Sequence, residues 1–292
     1  MKTFRNTLAT IIAGSVALGA LEAQAAYSPT TLTFAQSSGF ETSSSSLTST
    51  DNQGADDSIR WYEHLSGVTP PVGTFDTIAW GLPSKNNGGL MLTDPFTISG
   101  DVNTVYSGLR VTGLTGSVTT GADIGLWGAY QPITTLYHKN STISGSAFTL
   151  KKATIGSNLS IGLYNDPYHQ VPITFTETMN VGNVPGDCAA GAPNNSICDD
   201  LFKFQLTSFA PITFSIDGKT FEADFGIGLF HNSSTNFPGC DGSGVCTVWT
   251  AEGVISDLSV LMRIREIPEP ASMALVGLGL VGLAGLRRRR NA

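Results

Sequence analysis

Positive charge is scarce through most of this chain. Of 16 Lys and Arg residues, Lys2 and Arg5 stand near the start and Arg287–Arg290 near the end, which leaves ten across residues 26–267. The same stretch holds 21 Asp and Glu, a net charge of −11 against −7 for the whole sequence. A body this acidic cannot neutralise phosphates, which excludes nucleic-acid binding through the backbone. It stays soluble and draws cations weakly. Helical periodicity is also missing. Gly and Pro recur, and no 3.6-residue pattern outlasts two turns between the terminal segments, so long amphipathic helices are excluded from the core. Histidine is limited to His64, His138, His169 and His231. There is no His-Glu-x-x-His, no nucleophile elbow and no Ser-x-x-Lys. Asp241-Gly242-Ser243-Gly244 has the outward form of a serine-protease nucleophile loop, but within the short Cys240–Cys246 segment it reads as a turn.

The two ends are the most legible parts. Lys2 and Arg5 precede an apolar stretch from Leu8 to Ala20, and Ala23-Gln24-Ala25 fits a small-x-small cleavage site. Residues 1–25 therefore read as a cleaved signal peptide, handled by signal peptidase and the general secretion machinery. At the other end Pro268, Glu269 and Pro270 precede an apolar run from Ala271 to Leu286, and then Arg287, Arg288, Arg289 and Arg290. A helix of that run spans roughly 24 Å, a little short of a ~30 Å hydrocarbon core, and flanking side chains or local thinning close the gap. The four arginines anchor it on the cytoplasmic side. This reading makes the chain a bitopic intermediate in the inner membrane. Three segments follow: signal peptide 1–25, body 26–266 and tail 267–292.

The body is expected to be all-β, an antiparallel sandwich in one domain. Leu32-Phe34, Leu159-Ile161-Leu163, Val171-Ile173-Phe175 and Leu258-Val260-Met262-Ile264 each place apolar residues at one parity, as half-buried strands do. Asp217-Gly218 between two alternating runs predicts a two-residue hairpin. In that register Phe214 faces Phe221 and Ile212 faces Ala223, all on one face. Residues 42–50, nearly all Ser and Thr, read as a low-complexity loop. Trp61-Tyr62, Trp80, Trp127 and Tyr130 could form an exposed sugar platform, but aromatics in a sandwich are more often core, and core is the expectation.

All four cysteines, Cys188, Cys198, Cys240 and Cys246, fall in the exported body, where disulfides are favoured. Three connectivities exist. The local one, Cys188–Cys198 with Cys240–Cys246, is expected, each bridge stapling a turn-rich loop for about 2–3 kcal/mol. Spacings of nine and five residues do not suit a zinc site.

The tail resembles the PEP-CTERM sorting domains of Gram-negative bacteria in three features in fixed order: Pro268-Glu269-Pro270, the Ala271–Leu286 run and the arginine cluster. The resemblance implies processing by an exosortase, with the tripeptide as substrate. The body resembles the THxN family of PEP-CTERM proteins. Trp80-Gly81-Leu82-Pro83, Tyr137-His138-Lys139-Asn140, Glu177-Thr178-Met179-Asn180, Cys188, Cys198-Asp199 and Thr250-Ala251-Glu252 match its blocks in order. Tyr137 departs from the family's threonine. This resemblance supplies motif residues, namely Trp80, His138, Asn140, Glu177, Asn180 and Glu252, and no reaction.

The expectation is thus a non-catalytic protein of the cell envelope or extracellular matrix, structural or adhesive in exopolysaccharide and biofilm. Its destination is the outer surface or matrix. No cofactor and no metal site are expected. Two alternatives stand beside this. His138, Asn140, Glu177, Asn180 and Glu252 could build a calcium-dependent carbohydrate-binding site, since calcium takes six to eight oxygens. A glycan-active hydrolase would need two facing carboxylates, whose separation is set by the fold.

Overall fold

The computed structural model describes residues 27–41, 48–49, 60–64, 68–81, 89–90, 94–97, 106–142, 149–176, 199–229, 233–235 and 243–268. The signal peptide, most of the Ser/Thr run, the Ala271–Leu286 segment and the four terminal arginines lie outside them. Among the described residues no helix is long and apolar enough to cross a membrane.

Strands fall into two sheets. The first runs β16 (Ser233–Thr235), β17 (Val245–Thr250), β13 (Asp200–Gln205), β12 (His169–Thr176), β10 (Leu150–Ile161), β1 (Thr31–Glu41) and β4 (Thr74–Phe75). Strands β2 (Thr48–Ser49) and β11 (Tyr164–Asn165) pair with β10, and β8 (Thr115–Thr119) pairs with β1. The second runs β14 (Ile212–Ile216), β15 (Lys219–Leu229), β18 (Ile255–Ile267), β9 (Gln131–Lys139), β7 (Ser107–Gly113), β5 (Thr77–Trp80), β3 (Arg60–Tyr62) and β6 (Gly89–Leu90). Pairing is antiparallel except where β6 lies parallel to β3.

Period-two alternation builds these strands. In β12 the odd positions Val171, Ile173 and Phe175 are buried and the even ones exposed. The hairpin β14–β15 has the register read from its sequence, with Phe214 opposite Phe221 and Ile212 opposite Ala223. Asp217 at φ 51° and Gly218 at φ 78° form the left-handed pair that matches strand twist. Parity fails at Leu163. The chain turns at Gly162, φ 57°, and Leu163 is left 81% exposed. Between β9 and β18 the register slips by one residue at Ile133, a bulge opposite Val260 and Leu261.

The sheets face each other across two apolar clusters. One gathers Trp80, Phe175, Phe202, Leu109 and Ile78; the other gathers Phe34, Ile161, Phe214, Phe221, Met262 and Ile264. Near the middle the sheets touch. The Gln36 amide donates to the Leu114 carbonyl at 2.9 Å. Gly113 permits this approach, since a Cβ there would stand 2.1 Å from the Gln36 carbonyl oxygen.

Candidate functional site

The motif residues that the structure describes converge at one end of the sandwich. Trp80 ends β5, His138 lies near the end of β9, and Asn140 follows it. The start of β18 pairs with the end of β9, Ile255 opposite Lys139, which brings the Thr250-Ala251-Glu252 segment alongside. The Thr142 hydroxyl donates to Glu252 Oε1 at 3.1 Å, and the Asn140 amide to the Val254 carbonyl at 3.1 Å. The His138 ring stacks on Trp80 with centroids 6.0 Å apart and planes 10° apart. It meets Phe175 and Phe202 edge-on at 5.3 and 4.9 Å. Phe175 in β12 and Phe202 in β13 belong to this end, and buried Asp200 precedes Phe202 by two residues. Glu177, Asn180, Cys188, Cys198, Cys240, Glu269 and Pro270 lie outside the described residues. Cys246 is buried in β17 and disulfide-bonded, its partner outside the described residues. Pro268, the first residue of the tripeptide, is exposed just beyond β18.

This convergence makes a clamp rather than a cleft. Trp80 and Asn140 are 1% exposed and His138 2%. His138 Nδ1 lies 2.8 Å from the Thr250 hydroxyl, while Nε2 lies 3.7 Å from Asp200 Oδ2, beyond hydrogen-bond range. Burial among aromatic rings penalises the imidazolium and pushes the His138 pKa down to about 3, so the ring is neutral at physiological pH. The tautomer with its proton on Nε2 suits both neighbours: Nδ1 accepts from Thr250, and Nε2–H faces the carboxylate. The Asn140 amide is costlier. Neither its Oδ1 nor its Nδ2 makes a hydrogen bond. Among the described residues no three His, Cys, Asp or Glu side chains group as a metal site. Ser243 and Gly244 form the turn into β17, with Gly244 at φ 81°.

The aromatic residues divide between core and surface. Trp80 is core, and Trp61 packs against it with its ring 5.8 Å from Phe75. Trp127 and Tyr130 depart from the core expectation and cover the outer face of β15 and β18. Arg263 lies over both rings at 4.8 and 4.5 Å, and Arg265 over Trp127 at 4.4 Å. Asp224 accepts from the Tyr130 hydroxyl at 2.8 Å and from Arg263 Nε at 2.9 Å; Glu222 accepts from Arg265 Nε at 2.7 Å. Core expectation fails because strand charges on the outer face offer these rings cation–π partners.

Sequence reasoning missed one feature. A cavity of about 410 Å³ lies between the sheets, bounded by both apolar clusters. Its lining includes Val111, Ile133 and Leu136 from one sheet and Ile155, Leu159 and Ile173 from the other. It reaches solvent at His169 and Gln170 and at the connection Thr207–Pro211, which crosses from β13 to β14. No local pattern marks such a cavity, because its walls come from strands far apart in sequence.

A comparison with curated proteins finds no match. Residues 266–290 match the family model described as the PEP-CTERM protein-sorting motif, and the match takes in the tripeptide, the apolar run and the arginines. The chain therefore carries the sorting segment of an exported, membrane-passing PEP-CTERM protein of the Gram-negative type, handled by an exosortase.

Proposed function

We propose that the exported body works without catalysis, as a structural or adhesive component of the extracellular polymeric matrix. The observation that carries this reading is the burial of Trp80, His138 and Asn140. His138, held neutral between Trp80, Phe175 and Phe202, is sealed from substrate and has too low a pKa to exchange protons near neutrality. Its work is to join the two sheets. The net charge of −11 across residues 26–267 suits a hydrated matrix in which cations bridge acidic polymers. In this scheme the chain passes through a bitopic intermediate, loses its tail near Pro268-Glu269-Pro270 and is left at the outer surface or in the matrix.

Complementation tests the reading. A strain lacking the protein is supplied with wild-type chain, a chain deleted for 268–292, or a Glu177→Gln/Glu252→Gln variant. Matrix mass should return with the wild type and the carboxylate variant, and fail with the deletion, whose tail-dependent processing is lost. A folded carboxylate variant that restores nothing would instead favour a glycan hydrolase.

A second reading, a carbohydrate-binding module aided by calcium, is favoured by the outer face bearing Trp127 and Tyr130, the latter 38% exposed. Calorimetry with acidic polysaccharides, with and without calcium, separates the two. Absence of heat in both titrations removes this reading.

A further inference from the structure

Large apolar side chains stand exposed where β18 hands the chain to the tail. Beyond Met262, β9 no longer pairs with β18, and the segment 121–130 takes its place. The Gly128 amide donates to the Ile264 carbonyl and the Gly125 amide to the Glu266 carbonyl, each at 2.9 Å. Residues 123–126 form a turn closed by the Leu126 amide on the Asp123 carbonyl at 3.0 Å, with Gly125 at φ 82° as its left-handed residue. This turn leaves Ile124 46% and Leu126 53% exposed. A Cβ on Gly125 would stand 3.9 Å from the Pro268 ring, so the turn touches the first residue of the sorting tripeptide.

A second turn reaches the same end. Leu163 is 81% exposed beside Gly162, where a Cβ would stand 2.9 Å from Ile216 Cδ1. Ile216 pairs with Lys219 across the hairpin turn, and Lys219 Nζ donates to Glu266 Oε2 at 2.9 Å. Charge does not explain these exposed residues. The cations here are engaged, Lys219 by Glu266 and Arg265 by Glu222, while Asp123 and Asp217 face solvent. A partner for this end is therefore apolar at its surface and not strongly anionic.

The length of the connection says which partner. Only the tripeptide separates Ile267 from Ala271, at most about 14 Å of extended chain. With residues 271–286 in a bilayer, this end of the body cannot leave the lipid surface. A run short for the hydrocarbon core draws it closer still. We propose that the turns bearing Ile124, Leu126 and Leu163 dock the body on the bilayer, in the leaflet away from the arginines. Their side chains enter the boundary between head groups and acyl chains, and Trp127, next to Leu126, lies at head-group level. Docking holds Pro268-Glu269-Pro270 at the lipid surface. The inference rests on the bitopic intermediate proposed above, and its test reads the two separately.

The test uses the full chain, tail intact, in phosphatidylcholine nanodiscs. A trace phospholipid carries a diazirine near the head-group end of its acyl chain. After irradiation, mass spectrometry locates the label. Label is expected on residues 271–286, on 123–127 and on 162–164. Val72, beside the far end of β1, and Val254, beside Asn140, are also exposed and apolar and should stay unlabelled. The combined variant Ile124→Ser/Leu126→Ser/Leu163→Ser should lower the turn label about tenfold, as loss of apolar area requires, and leave the label on 271–286 unchanged. Replacing part of the lipid by anionic phosphatidylglycerol should weaken the turn label through Asp123 and Asp217. Circular dichroism checks folding, and should the variant unfold, the wild-type label pattern and its response to anionic lipid decide. Label on 271–286 without label on the turns overturns the proposal and leaves the bitopic reading standing. Turn label that survives the serine substitutions, or that rises with anionic lipid, overturns apolar docking. Label on neither removes the bitopic reading and the proposal with it.

Discussion

At the hairpin end of the sandwich, Phe214 lies over Phe221 at 5.6 Å, and Arg263, Arg265, Glu222 and Asp224 pair with one another on the outer face. At the opposite end His138, Asn140, Asp199 and Asp200 are at most 2% exposed, set among Trp80, Phe175 and Phe202. Both ends bury aromatic rings between the same two sheets, but the buried polar group of the hairpin end, Glu266, is paired with Lys219 at 2.9 Å, whereas Asn140 at the motif end has no side-chain partner. The hairpin end draws its stability chiefly from area removed from water, and its one buried carboxylate opposite Phe221 is held by Lys219. The motif end depends in addition on keeping an imidazole neutral and on tolerating an amide without partners. That difference makes the two ends separable by pH and by substitution.

The largest effect should not distinguish them. Trp80→Ala and Phe221→Ala each remove a fully buried ring, 1% exposed in both cases, and should each cost about 3–5 kcal/mol in urea unfolding. A much smaller loss at Trp80 would show that the motif end is not a second core at all. Acid should then pull them apart. His138 has a folded pKa near 3 and an unfolded value near 6.5, so between those limits the unfolded chain holds a proton that the folded chain refuses. Its contribution is complete above pH 6.5 and drains away as pH falls toward 3. Between pH 6.5 and pH 5 the loss should be about 2 kcal/mol. His138→Phe should flatten that part of the pH profile, and Phe214→Leu should leave its slope intact. An unchanged slope in His138→Phe would mean the ring is protonated when folded, against the burial argument.

The same contrast explains what could be read in advance. The hairpin end follows local rules: alternation gave Phe214 and Phe221 their shared face, and Asp217-Gly218 supplied the turn between them. Gly218→Ala, which forces a side chain into φ 78°, should cost about 1–2 kcal/mol in the same assay. Parity misled only where a turn interrupted it, at Leu163, and the parallel β6–β3 pair had no local signature. At the motif end, the blocks could be named but not placed. That Thr250 would meet His138, 112 positions away, follows from sheet order and not from either segment. The cavity was invisible for the same reason. Its position depends on how far two sheets stand apart, which no single strand encodes.

The smallest expected effect has the opposite sign. Asn140 is buried in the loop after β9, its backbone amide held by Val254, while both atoms of its side-chain amide go without a hydrogen bond. Burying such an amide costs roughly 1–3 kcal/mol on mutational scales. A leucine of similar shape keeps the packing and removes the cost, so Asn140→Leu should stabilise the folded chain by about 1 kcal/mol, less any local strain. The equivalent exchange at the hairpin end would fall on Glu266, whose carboxylate accepts from Lys219 at 2.9 Å and Thr30 at 3.4 Å, so it would break contacts rather than relieve a cost. Measured urea midpoints decide it. A loss of stability at Asn140→Leu would mean that the amide is engaged in solution, and a loss accompanied by faster acid unfolding would tie that engagement to His138. A gain would leave Asn140 as a residue kept against stability, which is the strongest physical ground for seeking a role for it beyond packing.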